Sequence, residues 1–455
     1  MTSYLPLASW LDETRSDHTL VAWDKGNRYT LDQLRNNVIA LFRQIEHHPD
    51  QRWALCLQDS FHFITAMLAV LHAGKTPVIP GHHRVNQLRE QQTRFGGLIT
   101  DMPVSLDCPV FKLPLDVDET AAFVNLPVIA EDAEIILFTS GSTGQPKEIH
   151  KPLRCLEEDA RWQSENWGSL LHGCQVVSTV NHQHLYGLTF QIILPMALSL
   201  PLACRQIEYQ EQLPLQCGNR RTFLISSPAF LKRLDTNLPS FNCAILLSAG
   251  GPLPWEDAER AQQWLGILPH EMYGSTEAGA IAWRHRTRDE LTWKPFPGVR
   301  FTHEGERIKA HSALIVDPNG LLLDDKLIFL PDGSGFYLGG RNDRIIKLEE
   351  KRISLSEIEW RLQACEEVAE AVVLPVSRGK RTLIGAVIVL SQKGKAALIP
   401  KKTDMELTRV LGVALRQWID GVAVPRYWRF VETIPYNTQG KRDYEQLQNL
   451  FDVSR

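Results

Sequence analysis

The feature that most constrains this chain is a glycine-rich segment that directly follows a strongly apolar run. Residues 134–138 read EIILF, a pattern typical of a buried strand, and residues 139–147 continue as TSGSTGQPK. Two glycines let the backbone turn tightly and bring several N–H groups close to an anion. Hydroxyl groups donate hydrogen bonds to phosphate oxygens, and Lys147 adds a positive charge. The segment therefore predicts a phosphate-binding loop.

Two other interpretations of this segment are weaker. The glycine–lysine spacing differs from the GxxxxGK[ST] pattern of P-loop nucleotide-binding proteins. A flexible Ser/Gly linker is the structural alternative, but a linker rarely ends in Pro-Lys straight after a buried strand.

Strand-like and helix-like segments alternate through the first three quarters of the chain, which predicts a large α/β region with a parallel sheet. Thr30 and Gln33 form a capping box before an apolar helix face that runs from Leu31 to Ile45. The stretch 188–204 is read as a buried helix followed by a strand. Further strands are predicted at 53–58, 76–80, 134–138, 176–180, 222–225 and 244–247, and further helices at 61–73, 156–167 and 255–265.

The pattern changes after residue 343, where the sequence predicts a compact α+β unit over residues 344–455. In the second predicted helix of this unit, Leu407, Leu411, Leu415 and Trp418 fall on one face. The predicted helices are 356–365 and 405–419, and the predicted strands are 368–376, 382–390 and 427–431.

Composition excludes several classes of function. Lys and Arg (49) nearly balance Asp and Glu (53), which argues against nucleic acid or an anionic membrane as the main partner. None of the 8 cysteines forms a CxxC pair, so neither a zinc ribbon nor a thioredoxin-type motif is present. The N-terminus lacks the pattern of a signal peptide, and the longest apolar stretch falls short of a membrane span. We expect a cytoplasmic enzyme without stable membrane insertion.

Residues 139–147 resemble the signature loop of the adenylate-forming superfamily, which includes acyl- and aryl-CoA ligases, luciferases and peptide-synthetase adenylation domains. Other segments resemble further motifs of this superfamily in the same order, namely 63–81, 248–253 (SAGGPL), 273–279 (YGSTEAG), 339–359 and 435–441 (PYNTQGK). The resemblance implies the fold of that superfamily. Residues 1–342 would form an α/β adenylation domain that binds ATP and a carboxylic acid, and residues 343–455 a small, mobile α+β domain that carries the catalytic lysine.

The resemblance implies an activity and assigns roles to individual residues. A carboxylate would be joined to the α-phosphate of ATP with release of pyrophosphate, and the acyl group would then pass to a thiol. Lys441, Glu277 and Thr276 would be catalytic, with Glu277 also the ligand of Mg²⁺, and Asp343 would be the hinge. The residues implied in nucleotide binding are Thr139, Ser140, Gly141, Ser142, Thr143, Gly144, Lys147, Gly250, Gly251, Pro252, Tyr273, Gly274, Ser275, Asp325, Arg341 and Arg352.

The chain departs from the superfamily's pattern at two places. The usual Thr-Gly-Asp that binds the ribose reads Leu323-Asp324-Asp325, so Asp324 is the alternative to Asp325. A glycine is usual where the pantetheine arm passes, and Glu350 occupies that position. A glutamate side chain there could crowd or repel the arm, so either the tunnel for the arm is rebuilt or the thioester step is altered or absent.

The segment 181–187 (NHQHLYG) resembles the superfamily's acid-pocket motif, which implies that His184 and Tyr186 lie at the substrate. The resemblance also implies that Gly279, at the end of the YGSTEAG segment, belongs to the substrate pocket. No acidic residue lies between 181 and 199 to pair with an ammonium group, which disfavours an α-amino acid. An HxH metal site without a third ligand is a weaker interpretation.

The chain is short for an acyl-CoA ligase. It resembles compact members that load acyl carrier proteins, including ligases of aryl-polyene and fatty-acid-like pathways, so the acceptor is an acyl carrier protein or CoA. Two alternatives stay open, an amino-acid adenylation protein and a catalytically silent homologue that acts as a binding module.

Overall fold

The computed structural model describes residues 4–83, 85–115, 125–140, 146–341, 344–348, 351–378, 381–398, 404–419, 421–437 and 442–452. The chain divides into two compact units. The first comprises residues 1–290, 294–300 and 310–321, and the second comprises residues 291–293, 301–309 and 322–455. The second unit therefore takes in residues 322–342, which the sequence analysis assigned to the first domain. The hinge at Asp343 lies outside the described residues and stays a prediction.

The helices are short and are spread along the whole chain. The α-helices are α1 (Leu31–Ile45), α2 (Ser60–His72), α3 (Val85–Glu90), α4 (Leu153–Leu171), α5 (Leu185–Gly187), α6 (Leu194–Ala197), α7 (Gln212–Cys217), α8 (Pro228–Leu231), α9 (Trp255–Leu265), α10 (Leu355–Gln363), α11 (Gln392–Leu398), α12 (Asp404–Leu415) and α13 (Tyr444–Asp452). A π-helical segment, Leu188–Ile193, joins α5 to α6, and 3₁₀ turns occur at Leu7–Ser9, Gln92–Arg94 and Gly421–Ala423.

The strands of the first half are β1 (Leu20–Asp24), β2 (Asn27–Thr30), β3 (Arg52–Cys56), β4 (Thr76–Ile79), β5 (Gly97–Thr100), β6 (Val110–Lys112), β7 (Glu134–Ser140), β8 (Pro146–Pro152), β9 (Gln175–Ser178), β10 (Leu202–Ala203), β11 (Thr222–Ser226) and β12 (Cys243–Ser248). Those of the second half are β13 (His270–Ser275), β14 (Gly279–His285), β15 (Lys294–Pro295), β16 (Arg300–Glu304), β17 (Arg307–His311), β18 (Leu321–Leu322), β19 (Asp325–Phe329), β20 (Phe336–Arg341), β21 (Ile345–Leu348), β22 (Lys351–Ser354), β23 (Val368–Arg378), β24 (Arg381–Leu390) and β25 (Tyr427–Val431).

Two large sheets organise the first unit within the described residues. One has nine strands in the order β15-β14-β13-β12-β11-β9-β10-β1-β2, and the other has six in the order β6-β5-β3-β4-β7-β8. Pairing from β1 through β10, β9, β11 and β12 to β13 is parallel, and so is pairing from β6 to β7. Loops after parallel strands gather at one sheet edge, the usual place for ligands in such folds.

Local sequence explains why the first helices form where they do. Thr30 accepts a hydrogen bond from the Gln33 amide, and the Gln33 side chain accepts one from the Thr30 amide, so the predicted capping box is confirmed. The apolar face from Leu31 to Ile45 is buried in the main core. Asp59 caps α2 by accepting from the Phe61 and His62 amides.

The second unit contains a three-stranded sheet, β23-β24-β25, that is covered on both faces. Alternate residues of β23 point to opposite faces, and they enter two separate apolar clusters. One cluster includes Ile358 of α10 and Leu411 of α12, and the other includes Leu447 and Phe451 of α13.

Most predicted elements are confirmed, with one error in the second unit. The predicted helix 405–419 ends at Leu415, and Trp418 is 61% exposed instead of buried with Leu411. Its ring stacks on the Arg361 guanidinium, 4.2 Å from the ring centroid, so a cation–π contact takes the place of core burial.

Among the described residues, none of the helices has the length and apolar character needed to cross a membrane.

Candidate active site

The predicted phosphate loop connects the two strands of a hairpin. β7 and β8 pair antiparallel, with Thr139 opposite Lys147 and Ser140 opposite Pro146. The Lys147 side chain is 64% exposed, so its charge is open to a ligand. The loop residues Gly141, Ser142, Thr143 and Gly144 lie outside the described residues, and their contacts with a nucleotide stay predictions.

A second hairpin, β13–β14, carries the YGSTEAG segment. Gly274 has no room for a side chain, since a Cβ there would lie 2.1 Å from the Gly279 carbonyl oxygen. Gly279 has a φ of +73°, and a Cβ there would lie 2.8 Å from Leu314 Cδ1. The Ser275 hydroxyl accepts a hydrogen bond from the Ala278 amide at 3.1 Å. These constraints place Thr276 and Glu277 at the tip of a tight turn.

The two hairpins meet at an ion pair. Lys147 Nζ lies 4.0 Å from Glu277 Oε1, and the Glu277 side chain is 31% exposed. Opposite charges that both stay accessible suit a ligand that carries phosphate groups and a divalent cation. The described residues hold no cluster of three metal-ligating side chains. The role of Glu277 as a ligand of Mg²⁺ stays a prediction, and a carboxylate oxygen is the type of donor that this ion prefers.

The buried side chain of Lys151 stabilises the Glu277 turn through hydrogen bonds to backbone carbonyls. Lys151 is 1% exposed, and its Nζ donates to the Glu277 carbonyl oxygen at 3.1 Å and to the Leu314 carbonyl oxygen at 2.8 Å. Burial lowers the pKa of Lys151, and the nearby Cys155, Asp159 and Glu277 oppose that shift. Sequence reasoning missed this residue. The alternation of side chains along β8 could have revealed it, because Lys151 lies two residues after the buried Ile149 and so shares its strand face.

Asp159 of α4 is the buried acid that accompanies Lys151. Burial raises the pKa of Asp159 to about 6, opposed by a hydrogen bond from Gln163, the charge of Lys151 and the Ala280 amide. The Gln163 Nε2 to Asp159 Oδ1 distance is 2.8 Å. Asp159 thus ties α4 to the first residues of β14.

The segment predicted to lie against the adenine follows β12. Gly250 has a φ of +92° with open space around it, and Gly251, like Pro252, is exposed. The Leu253 carbonyl accepts a hydrogen bond from Arg286 Nη2 at 2.8 Å. Since β12 pairs in parallel with β13, this segment and Tyr273 belong to the same sheet edge.

A buried charge network attaches that segment to the β13–β14 hairpin. Glu271 of β13 accepts hydrogen bonds from Arg284 and Arg286, each with an N–O distance of 2.7 Å. All three side chains are buried, and paired buried charges of this kind hold a fixed geometry. Arg286 also donates to the Leu253 carbonyl, so the loop after β12 and the β13–β14 hairpin are both bound to this network.

The predicted acid-pocket residues sit at the ends of two strands. His184 precedes α5 and lies close to Gly81, two residues after β4, where an added Cβ would be 3.3 Å from the His184 ring. Tyr186 donates a hydrogen bond to the Ser226 carbonyl oxygen at 3.1 Å, at the end of β11. The structure therefore brings segment 181–187 to the carboxyl ends of strands from both sheets.

His182 is a structural residue of this region. It is 3% exposed, with Nε2 2.9 Å from the Leu57 carbonyl oxygen and Nδ1 3.2 Å from the Ser60 hydroxyl. Burial lowers the pKa of His182 to about 4, which keeps it neutral. Both ring nitrogens of His182 are thus in contact with protein groups.

The predicted ribose residues lie in the second unit. Asp325 opens β19 opposite Arg341 of β20, and Asp324 is ion-paired with Arg307 at 3.1 Å. Arg352 lies opposite Lys347 in the β21–β22 hairpin. The side chains of Arg341 and Arg352 are outside the description, as are Lys441, Asp343 and Glu350.

Comparisons with known proteins agree with this architecture. The D-alanine–D-alanyl carrier protein ligase of Staphylococcus haemolyticus (strain JCSC1435) is 25% identical over 361 residues, or 70% of this chain and 71% of that ligase. The 3,4-dihydroxybenzoate–[aryl-carrier protein] ligase of Bacillus anthracis is 23% identical over 432 residues, or 91% and 95%. ATP-bound MatB from Rhodopseudomonas palustris shares the fold, with a TM-score of 0.80 over 99% of both chains at 17% identity.

The family itself is established by a profile match. The AMP-binding enzyme family matches residues 85–320, which is just over half of the 455 residues. This range contains the β7–β8 and β13–β14 hairpins, so the resemblance stated from the motifs is confirmed. The chain belongs to the AMP-binding enzyme family of the adenylate-forming superfamily.

Proposed function

We propose that this protein activates a carboxylic acid with ATP and passes the acyl group to a phosphopantetheine thiol. A carboxylate oxygen of the acid would attack the α-phosphorus of ATP, and pyrophosphate would leave. The thiol sulfur would then attack the acyl carbon, and AMP would leave. The observation that carries the proposal is the 4.0 Å approach of Lys147 to Glu277 where two family motifs meet.

The proposal gives a part to each of the main motif residues. Lys147 and the hydroxyl of Thr139 would bind phosphate oxygens. Glu277 would hold Mg²⁺, which withdraws charge from the phosphates when bound. Lys441 would bridge the acid and ATP as a mobile charge on a long side chain. For the ribose we favour Asp325, which lies opposite Arg341, the other residue proposed near the ribose, with Asp324 as the alternative.

The proposed substrate is an acyl or aryl acid without an α-amino group. Segment 181–187 offers His184 and Tyr186 to the pocket and supplies no carboxylate for an ammonium group. An amino acid is the second candidate, because one relative is named as a D-alanine ligase. The proposed acceptor is a carrier protein, as in the names of both relatives, with CoA as the alternative.

The test is pyrophosphate release from ATP and Mg²⁺ across aliphatic, hydroxybenzoic and amino acids, followed by thioester formation with a holo carrier protein or CoA. Release with one acid class supports the proposal and names the substrate chemistry. ATP binding without release for any acid would contradict it and favour the silent binding module.

Lys441→Ala separates the two steps. Loss of the bridging charge should lower acid-dependent pyrophosphate release by roughly 100-fold or more. Thiol transfer from a supplied acyl-adenylate should change much less. Unchanged pyrophosphate release in this variant would contradict the assigned role.

Glu350→Gly tests the departure at the pantetheine position. If the glutamate side chain crowds the arm, glycine should raise the rate of thioester formation and leave pyrophosphate release unchanged. A change in pyrophosphate release, with thiol transfer unaffected, would contradict this interpretation. Progress curves for both products in one reaction provide the measurement.

A further inference from the structure

One carboxylate in the second unit contacts the residues that follow both the predicted hinge and the predicted catalytic lysine. Glu359 lies in α10 and is 7% exposed. Its Oε2 accepts hydrogen bonds from Arg344 Nη1 at 2.7 Å and from Arg442 Nη1 at 2.9 Å. Arg344 directly follows Asp343 in the sequence, and Arg442 directly follows Lys441.

The same three side chains are attached to the central strand β23. Glu359 Oε1 accepts from the Val373 amide at 2.6 Å, so both carboxylate oxygens are used. Arg344 donates to the Val373 carbonyl, and Arg442 donates to the Ala371 carbonyl at 3.3 Å. Burial alone would lower the pKa of Arg442, but the charge of Glu359 and its hydrogen bond raise that pKa above the ordinary value, so Arg442 stays charged.

The described residues on the two sides of segment 438–441 contact each other. Tyr436 and Arg442 form an antiparallel bridge, and the Asp443 amide donates to the Pro435 carbonyl at 2.9 Å. The Tyr436 hydroxyl donates to Glu370 Oε1 on β23. The described residues that precede 438 and follow 441 are therefore joined to each other beside β23.

We infer that Glu359 is a positioning residue, which fixes the base of the Lys441 loop through Arg442 and joins it to the chain after the hinge through Arg344. A hinge rotation would then carry the lysine loop and the first residues of the small unit together. The inference rests on the proposed function, since it gives Lys441 and Asp343 their roles.

Glu359→Gln is the sharpest change, because glutamine keeps the size and an acceptor for the Val373 amide but removes the charge that holds two guanidinium groups. A misplaced Lys441 should lower kcat for pyrophosphate release roughly 10- to 100-fold, with KM for ATP nearly unchanged. The matched control is Glu357→Gln on the same helix. Its carboxylate is 48% exposed and 3.8 Å from Arg361, and kcat should not change.

A positioning role is separated from a purely structural one by repeating the change in a Lys441→Ala background. If Glu359 acts through Lys441, then Glu359→Gln should add no further loss there. Arg442→Met removes the hydrogen bond between Arg442 and Glu359 and keeps the one between Arg344 and Glu359. It therefore tests the inference if Glu359→Gln does not fold. An unchanged kcat in the folded variants, or an equal further loss in the Lys441→Ala background, would overturn the inference.

Failure of the inference is distinct from failure of the proposed function. If the unaltered protein releases no pyrophosphate with any acid, the proposed function fails. If it does release pyrophosphate and Glu359→Gln matches it, the function stands and only the positioning role is wrong.

Discussion

Glu277 and Lys441, on which the proposed chemistry depends, are carried by segments that are held in different ways. The Glu277 turn is fixed by backbone constraints, with two glycines that exclude side chains and a buried Lys151 bound to carbonyl oxygens. Next to Lys441, Arg442 is held by side-chain charge, because Arg442 and Arg344 both donate hydrogen bonds to Glu359. The difference suits the proposed roles, because a metal ligand needs a constant position and a lysine on a mobile domain must be carried as a unit.

The largest expected effect comes from breaking the backbone of the Glu277 turn. In Gly274→Ala the new Cβ would meet the Gly279 carbonyl at 2.1 Å, so the hairpin must open. We expect a loss of more than about 4 kcal/mol in the free energy of unfolding. Gly251→Ala is the matched control for stability, because its nearest neighbour is Pro228 Cγ at 4.0 Å. Equal unfolding midpoints in urea for the two variants would contradict the backbone account.

Removing the buried ammonium group of Lys151 tests what stabilises the same Glu277 turn. Lys151→Met keeps the volume but leaves the Glu277 and Leu314 carbonyls without their donor. The expected cost is about 2–4 kcal/mol of unfolding free energy, and the Mg²⁺ concentration for half-maximal pyrophosphate release should rise. The exposed Lys112→Met is the control for both readouts. A Lys151→Met protein with normal stability and normal Mg²⁺ dependence would show that Lys151 does not support the turn.

Acidification should destabilise the first unit at the buried His182. The pKa of His182 is lowered from 6.5 to about 4, so the unfolded chain takes up the proton first as the pH falls. The stability contributed by neutral His182 is present above pH 6.5 and is lost between pH 6.5 and about 4, by about 3 kcal/mol.

The measurement is urea unfolding at pH 7 and pH 4.5 for the unaltered protein and for His182→Gln, which cannot titrate. The variant should lose less stability on acidification than the unaltered protein. The 91% exposed His47 supplies the control, His47→Gln. Parallel pH profiles for His182→Gln and the unaltered protein would mean that His182 is not the titrating group.

Much of the fold could be predicted from local sequence, and particular residues show why. Residues 31–45 carry both a capping box and a helical apolar face, and helix α9 has the predicted bounds, 255–265. Strand β25 also matches its prediction, because an apolar run between turn signals is a local property. Trp418 shows the limit, since its contact with Arg361 depends on a neighbouring helix that periodicity does not reveal.

The candidate site also contains residues that the sequence revealed and residues that it did not. The phosphate-loop pattern indicated Lys147 and the resemblance to the superfamily indicated Glu277, and the structure brings the two side chains to 4.0 Å. Lys151 and Glu359 were not predicted as supporting residues, because Lys151 bonds to Glu277, 126 residues away, and Glu359 bonds to Arg442, 83 residues away. Such contacts come from tertiary packing, and composition or spacing carries no record of them. Lys441, Asp343 and Glu350 stay predictions from the motifs.

The most direct test of the proposed reaction follows an oxygen atom. The protein is given ATP, Mg²⁺, the thiol acceptor and a substrate acid labelled with ¹⁸O in its carboxylate, and the AMP is analysed by mass spectrometry. Attack of the carboxylate on the α-phosphorus, followed by thiol attack on the acyl carbon, predicts one labelled oxygen in each AMP. Unlabelled AMP, or label in inorganic phosphate with release of ADP, would contradict an acyl-adenylate intermediate.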